Sequence, residues 1–145
     1  MKTRIKKNHF QVTAGLIWCN GRILIARRPK GTHLEGYWEF PGGKQEQGET
    51  LRECLQREIE EELGMRVKVE KRVSSVEHEY DDRIISLHFF VCTHTEGDPV
   101  PREGQNLRWV QPEDLERYTF PPADEKFLKI LQNSWHELSF MSKNP

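Results

Sequence analysis

Four glutamates, one arginine and two glycines stand at fixed spacings in the run GKQEQGETLRECLQREIEEELGM, Gly43 to Met65. Glu58, Glu61 and Glu62 fall within about 100° of arc when this run is wound as a helix at roughly 100° per residue. Like charges four apart, as Glu58 and Glu62 are, cost on the order of a few tenths of a kcal/mol. A hard divalent cation bound by oxygen ligands is the chemistry that would offset this crowding. Arg57 lies beside Glu58 around the helix and suits a bidentate carboxylate contact, with Glu49 placed to orient it or to support the loop. Pro41-Gly42-Gly43 permits close backbone approach, so a carbonyl there is a further candidate ligand.

The element that must carry these groups is a helix from about Thr50 to Leu63, closed by Gly64. Its apolar stripe is Leu51, Leu55, Ile59 and Leu63, and Glu62 falls between the directions of Leu51 and Leu55. The acids therefore border buried surface and face a cleft. Upstream, Phe10–Trp18 and Ile23–Arg27 flank Asn20-Gly21 and read as a hairpin with a type I′ turn. A loop over 29–36 leads to a short extended piece, Tyr37–Phe40. Downstream, Val67–Glu79 and Arg83–His94 alternate as strands around Asp81-Asp82, and Leu107–Val110 is a further strand. Pro112 opens a helical turn. The last helix is expected over Asp124–Leu138, buried through Phe127, Leu128, Leu131, Trp135 and Leu138, with Asp124 as its N-cap. This order gives an α/β fold, a mixed sheet with helices on both faces.

Composition narrows the partners. With 22 basic and 23 acidic residues among 145, the net charge is -1, and no global field recruits a nucleic acid polymer or a membrane. No apolar run approaches the roughly 18 residues of a membrane helix, and no signal peptide follows the basic MKTRIKK. Cys19, Cys54 and Cys92 lack CxxC spacing and read as reduced thiols of a cytoplasmic protein. The histidines show no HExxH pattern, and Gly42-Gly43-Lys44 lacks P-loop spacing. The length suits one domain, residues 1–145.

The Gly43–Met65 run matches the Nudix box at every defining position, and the resemblance extends from about Val12 to Leu131. EFPGGK before the box, EGQ at Glu103–Gln105 and FPPADE at Phe120–Glu125 resemble the MutT-like branch. The resemblance implies an α/β/α sandwich and hydrolysis of a nucleoside diphosphate linked to a further group, with Mg2+ or, in its place, Mn2+. It implies metal ligation by Glu58 and Glu62, with Glu61 close by and the Gly42 carbonyl as a further ligand. Glu103 is then a ligand or the general base, Glu58 is the rival base, and Arg57 completes the catalytic group. A triphosphate would be repelled by such glutamates unless cations bridged the two.

The expected reaction is nucleoside triphosphate to monophosphate and pyrophosphate, in a monomer that removes oxidised nucleotides such as 8-oxo-dGTP before they cause mutation. At the nucleotide end, Arg28 occupies the place of a substrate-contacting arginine. Phe40 is a candidate to stack on the base, and Glu39 and His33 are candidate polar contacts. Asp124 departs from the best-studied MutT pattern, which has asparagine after FPPA. An ionised Asp only accepts and suits guanine N1 and N2, whereas a protonated Asp serves cytosine N3 and N4. The cytidine-triphosphate branch also carries aspartate here, so CTP or a modified dCTP is the alternative substrate. A non-catalytic nucleotide-binding module is the remaining alternative, and retention of the box glutamates opposes it.

Overall fold

The computed structural model describes residues 6–131, beginning with a hairpin of β1 (Asn8–Cys19) and β2 (Arg22–Arg27). Asn20 and Gly21 join them at φ 51° and 76°, both positive as a type I′ turn demands. The two strands share two rungs, Trp18↔Ile23 and Cys19↔Arg22, and then part. Residues 38–45 fill the gap between them. Their first part, β3 (Trp38–Glu39), pairs with Arg27 and Ala26 of β2. Their second part pairs with β1: the Pro41 and Gly43 carbonyls accept from Gly15 N and Thr13 N at 2.7 and 2.8 Å. This crossing lays the two glycines over the middle of the sheet.

On its other side β1 runs parallel to β5 (Arg83–Glu96), from Asn8↔Arg83 to Trp18↔Thr93. β5 forms an antiparallel hairpin with β4 (Arg66–Glu79), and β6 (Asn106–Val110) is antiparallel to β2. The order is β3-β2-β1-β5-β4, with β6 on β2. Helix α1 (Leu51–Leu63) covers one face, packing Leu55, Ile59 and Leu63 on Ile17, Leu24 and Phe90. Helix α2 (Pro122–Leu131) covers the other, where Phe127 stacks on Phe89 with centroids 3.6 Å apart. The α/β/α sandwich with a mixed sheet is thus the observed architecture. Among the described residues no helix is long and apolar enough to cross a membrane.

Local chemistry fixes the ends of α1. Thr50 accepts from Glu53 N at 3.1 Å while the Glu53 carboxylate accepts from Thr50 N at 2.9 Å, a reciprocal capping box. Gly64, at φ 64°, closes the helix and donates its N–H to Glu60 O at 2.9 Å. One expectation is corrected at α2. The helix starts at Pro122 rather than after Asp124, because proline at the first helical position has its φ already set. Asp124 therefore lies within the first turn and is not the N-cap. The expected continuation through Trp135 to Leu138 lies outside the described residues.

Candidate active site

Arg57 joins the loop before α1 to the helix itself. Its Nε and Nη2 donate to the two oxygens of Glu49 at 2.9 and 2.7 Å. Its Nη1 reaches Glu58 at 2.9 Å and Glu61 at 3.1 Å, and its Nη2 also reaches Lys44 O at 3.1 Å. Hydrogen bonds from Arg57 hold the Glu49 carboxyl down at about 2, helped by the Glu46 amide. Glu49 thus orients Arg57 and closes the loop. Glu61 lies on the open side of this cluster with its side chain 59% exposed.

Glu58 leans the other way, over the backbone of Gly43. A Cβ on Gly43 would stand 2.4 Å from the Glu58 carboxyl carbon, and a Cβ on Gly42 would stand 2.0 Å from Thr13 O. The first glycine therefore seats the carboxylate, and the second lets the chain lie against β1. Because Pro41 and Gly43 turn their carbonyls to β1, the intervening Gly42 carbonyl turns away from it. Burial pushes the pKa of both Glu58 and Glu62 up, and their side chains hydrogen-bond each other. Charges on Glu58, Glu39 and Glu103 press further on Glu62. Carboxylates from α1, β3 and the loop before β6 thus converge electrostatically on one point. Sequence spacing alone could not bring Glu39 into that group.

At the nucleotide end, Arg28 donates to both Glu39 oxygens at 3.1 and 3.3 Å and to His33 O at 2.6 Å. The Glu39 carboxyl is raised by burial, with Arg28 opposing. A cleft of about 510 Å³ opens beside Arg28, lined by Arg27, Arg28 and Lys30 together with Glu35, Gly104 and Asn106. Its three basic side chains suit phosphate oxygens. A cleft of similar size between Leu115 and Leu128 contains none of these residues. His33 is exposed, and its carbonyl accepts from Arg28 Nε.

Asp124 is 6% exposed, and its pKa is pushed up to about 8 by burial first and by the Glu39 charge second. Burial raises the pKa of the nearby Tyr80, a neighbour that no sequence pattern flagged, and the Asp124 charge adds to the rise. The expectation for Phe40 is corrected. Its ring is 4% exposed and stacks on Phe120 at 5.2 Å, with Phe89 and Phe127 edge-on, so no face remains for a base. An aromatic residue in a short strand is drawn into the core by the area it buries.

A family model described as the NUDIX domain matches residues 13–130. The chain belongs to the Nudix family. Among Nudix relatives, it is 37% identical over 131 residues to the 8-oxo-dGTP diphosphatase of Haemophilus influenzae, covering 90% of this chain and 96% of that protein. It is 40% identical to the CTP pyrophosphohydrolase of Escherichia coli, covering 82% and 88%. The solution structure of the Escherichia coli ORF135 protein superposes with a TM-score of 0.78 at 37% identity, covering 88% and 94%.

Nudix hydrolases need a divalent cation. The donor set fits one: oxygen atoms alone, a carboxylate seated in a side-chain-free cradle, and two acids pressed together until they hold a proton. Among the described residues no group of three or more Asp, Glu, His or Cys side chains is arranged to hold a metal ion.

Proposed function

We propose that the protein is a Mg2+-dependent nucleoside triphosphate pyrophosphohydrolase acting on oxidised guanine nucleotides such as 8-oxo-dGTP. Mn2+ substitutes for Mg2+, and mutation avoidance is the role. The observation that carries the reaction class is the convergence of Glu58, Glu62, Glu39 and Glu103 beside a basic cleft. Glu58, Glu62 and the Gly42 carbonyl would hold the cation, with Glu61 and Glu103 as further candidate ligands. When bound, Mg2+ neutralises charge on the phosphate oxygens and lowers the pKa of a coordinated water.

Arg57 fixes Glu58, and the Arg28 side of the cleft receives the phosphates. Water attacks phosphorus, the bridging P–O bond breaks, and nucleoside monophosphate and pyrophosphate leave. Glu103 takes the water's proton. Both Glu58 and Glu62 are engaged by other groups, while the exposed Glu103 carboxylate meets no partner among the described residues. We read the chain as one domain and a monomer, working on free nucleotides rather than on nucleic acid polymers or membranes. The unpaired thiols of Cys19, Cys54 and Cys92 suit a reducing, cytoplasmic setting.

Asp124 supports the base preference. A buried acid that keeps its proton near pH 7 offers one donor and one acceptor, as asparagine does. Unmodified guanine presents two acceptors, N7 and O6, on its major-groove edge. Oxidation at C8 puts a proton on N7, so that edge becomes a donor beside an acceptor and matches neutral Asp124. Cytosine, with N4–H beside N3, matches too, and this favours CTP or a modified dCTP as the second reading. Adenine also offers such a pair.

The test is pyrophosphate release with Mg2+ from 8-oxo-dGTP, dGTP, CTP, dCTP, 5-methyl-dCTP, dATP and ADP-ribose. Preference for 8-oxo-dGTP over dGTP by about a hundredfold or more is expected, the size of discrimination from a buried hydrogen-bonding pair. Preference for a cytosine nucleotide would move the assignment to the second reading. Equal rates on dGTP and 8-oxo-dGTP would remove Asp124 as the discriminator.

A further inference from the structure

We infer that Arg102 is a positioning residue for Glu103, clamping the loop before β6 to the C-terminal turn of α1 and so fixing Glu103 against the Glu58–Glu62 pair. This rests on the reading of Glu103 as a member of the reaction machinery.

The last turn of α1 holds no basic residue, so its own sequence supplies no cation to the terminal carbonyls. One loop supplies the missing partners. Val100 N donates to Leu63 O at 2.8 Å, and Arg102 N is shared between Val100 O at 2.8 Å and Glu62 O at 3.2 Å. Arg102 Nη1 adds a second donor at 3.2 Å to Glu60 O, which also accepts from Gly64 N. The guanidinium lies flat on Gly64, where a Cβ would stand 2.7 Å from Arg102 Nη2. The residue preceding Glu103 is thus hydrogen-bonded, backbone to backbone, to Glu62 in the last turn of α1. On the other side Glu103 N donates to the Gln105 side chain at 2.9 Å, and Gln105 is 8% exposed. Glu103 is the exposed point of a turn held at one end by Arg102 and at the other by a buried amide.

A simple helix cap would contribute stability and nothing else. A clamp on Glu103 makes a different prediction, tested on the Mg2+-loaded full chain with 8-oxo-dGTP, or with whichever nucleotide the panel favours. Arg102→Ala is expected to lower kcat about tenfold with KM little changed, the scale of loss that follows a misplaced group. Arg102→Lys restores a carbonyl donor and should recover most of it. In a Glu103→Gln background, Arg102→Ala should change kcat less than about twofold, because the two act as a unit. Amide hydrogen exchange across residues 100–105 should quicken in Arg102→Ala while the amides of β1 and β5 keep their protection.

An equal loss from Arg102→Ala with and without Glu103 would overturn the proposal, as would unchanged exchange in the loop. Unchanged turnover in Glu103→Gln alone would instead remove Glu103 from the reaction, which is the failure of the underlying reading. Exchange across the loop would then still decide whether Arg102 holds it.

Discussion

Gly43 shows how a single missing side chain places a reactive group. The Glu58 carboxylate occupies the space a Cβ would take, so Gly43→Ala meets the tip of a flexible side chain rather than rigid backbone. The expected result is a protein that melts within a few degrees of wild type and turns over at least about tenfold more slowly, since the carboxylate must swing out of place. Gly42→Ala would strike Thr13 O and damage the fold itself. Paired thermal melts and rate measurements separate the two glycines. Asp124 makes the second prediction at this scale. Its folded pKa of about 8 lies far above the ordinary aspartate range, so the fold retains a proton that the unfolded chain releases. Its contribution to stability is therefore full below about pH 4 and is lost as pH rises through about 8. Asp124→Asn keeps the donor and acceptor without the titration. Urea melts at about pH 6 and 9 should show a smaller fall for this variant than for wild type, with base preference retained. An unchanged fall would mean that Asp124 is not the titrating group.

At the scale of elements, α1 is where most of the site could be read in advance. Its stripe, its capping box and its glycine terminus are all local, so spacing alone places Glu58 and Glu62 beside buried surface. Glu39, Glu103 and Asp124 stood as candidates only through the family resemblance and their sequence neighbours, because long-range pairing rather than local spacing brings them toward the site. Glu39 reaches Glu62 only because β1 and β2 part and residues 38–45 fill the gap. Arg102 is an exposed arginine in a loop and carries no pattern at all. Asp124 reads equally well as an N-cap or as a base contact until the start of α2 at Pro122 is known. For α1 the chemistry gives a pH dependence. Burial and mutual repulsion raise both Glu58 and Glu62, so without a cation the pair stabilises the fold less as pH climbs above the ordinary glutamate range. A divalent cation must displace the retained proton, which makes its binding tighter at higher pH. The rise in melting temperature on adding Mg2+ should therefore be larger at about pH 8.5 than at about pH 6, with protons released on binding. A pH-independent shift would mean that the cation binds elsewhere.

At the scale of the whole molecule, two apolar cores hold the site from opposite faces of one sheet. The α1 core backs the carboxylates of that helix, and the α2 core, through Phe127 on Phe89, anchors the helix that carries the buried Asp124. The aromatic residues of that second core also explain the fate of Phe40. Its type and place in a short strand fit either a base contact or the interior, and the neighbours Phe89, Phe120 and Phe127 decide for the interior. In the proposed reaction the chemical step draws on the Glu58 carboxylate seated over Gly43. The decisive measurement is pyrophosphate release from the favoured nucleotide by Glu58→Gln, with and without Mg2+, beside a thermal melt of the same variant. A loss of about a hundredfold or more with the fold intact is expected. Unchanged turnover in the folded variant would contradict the assignment of the α1 carboxylates as the seat of the reaction.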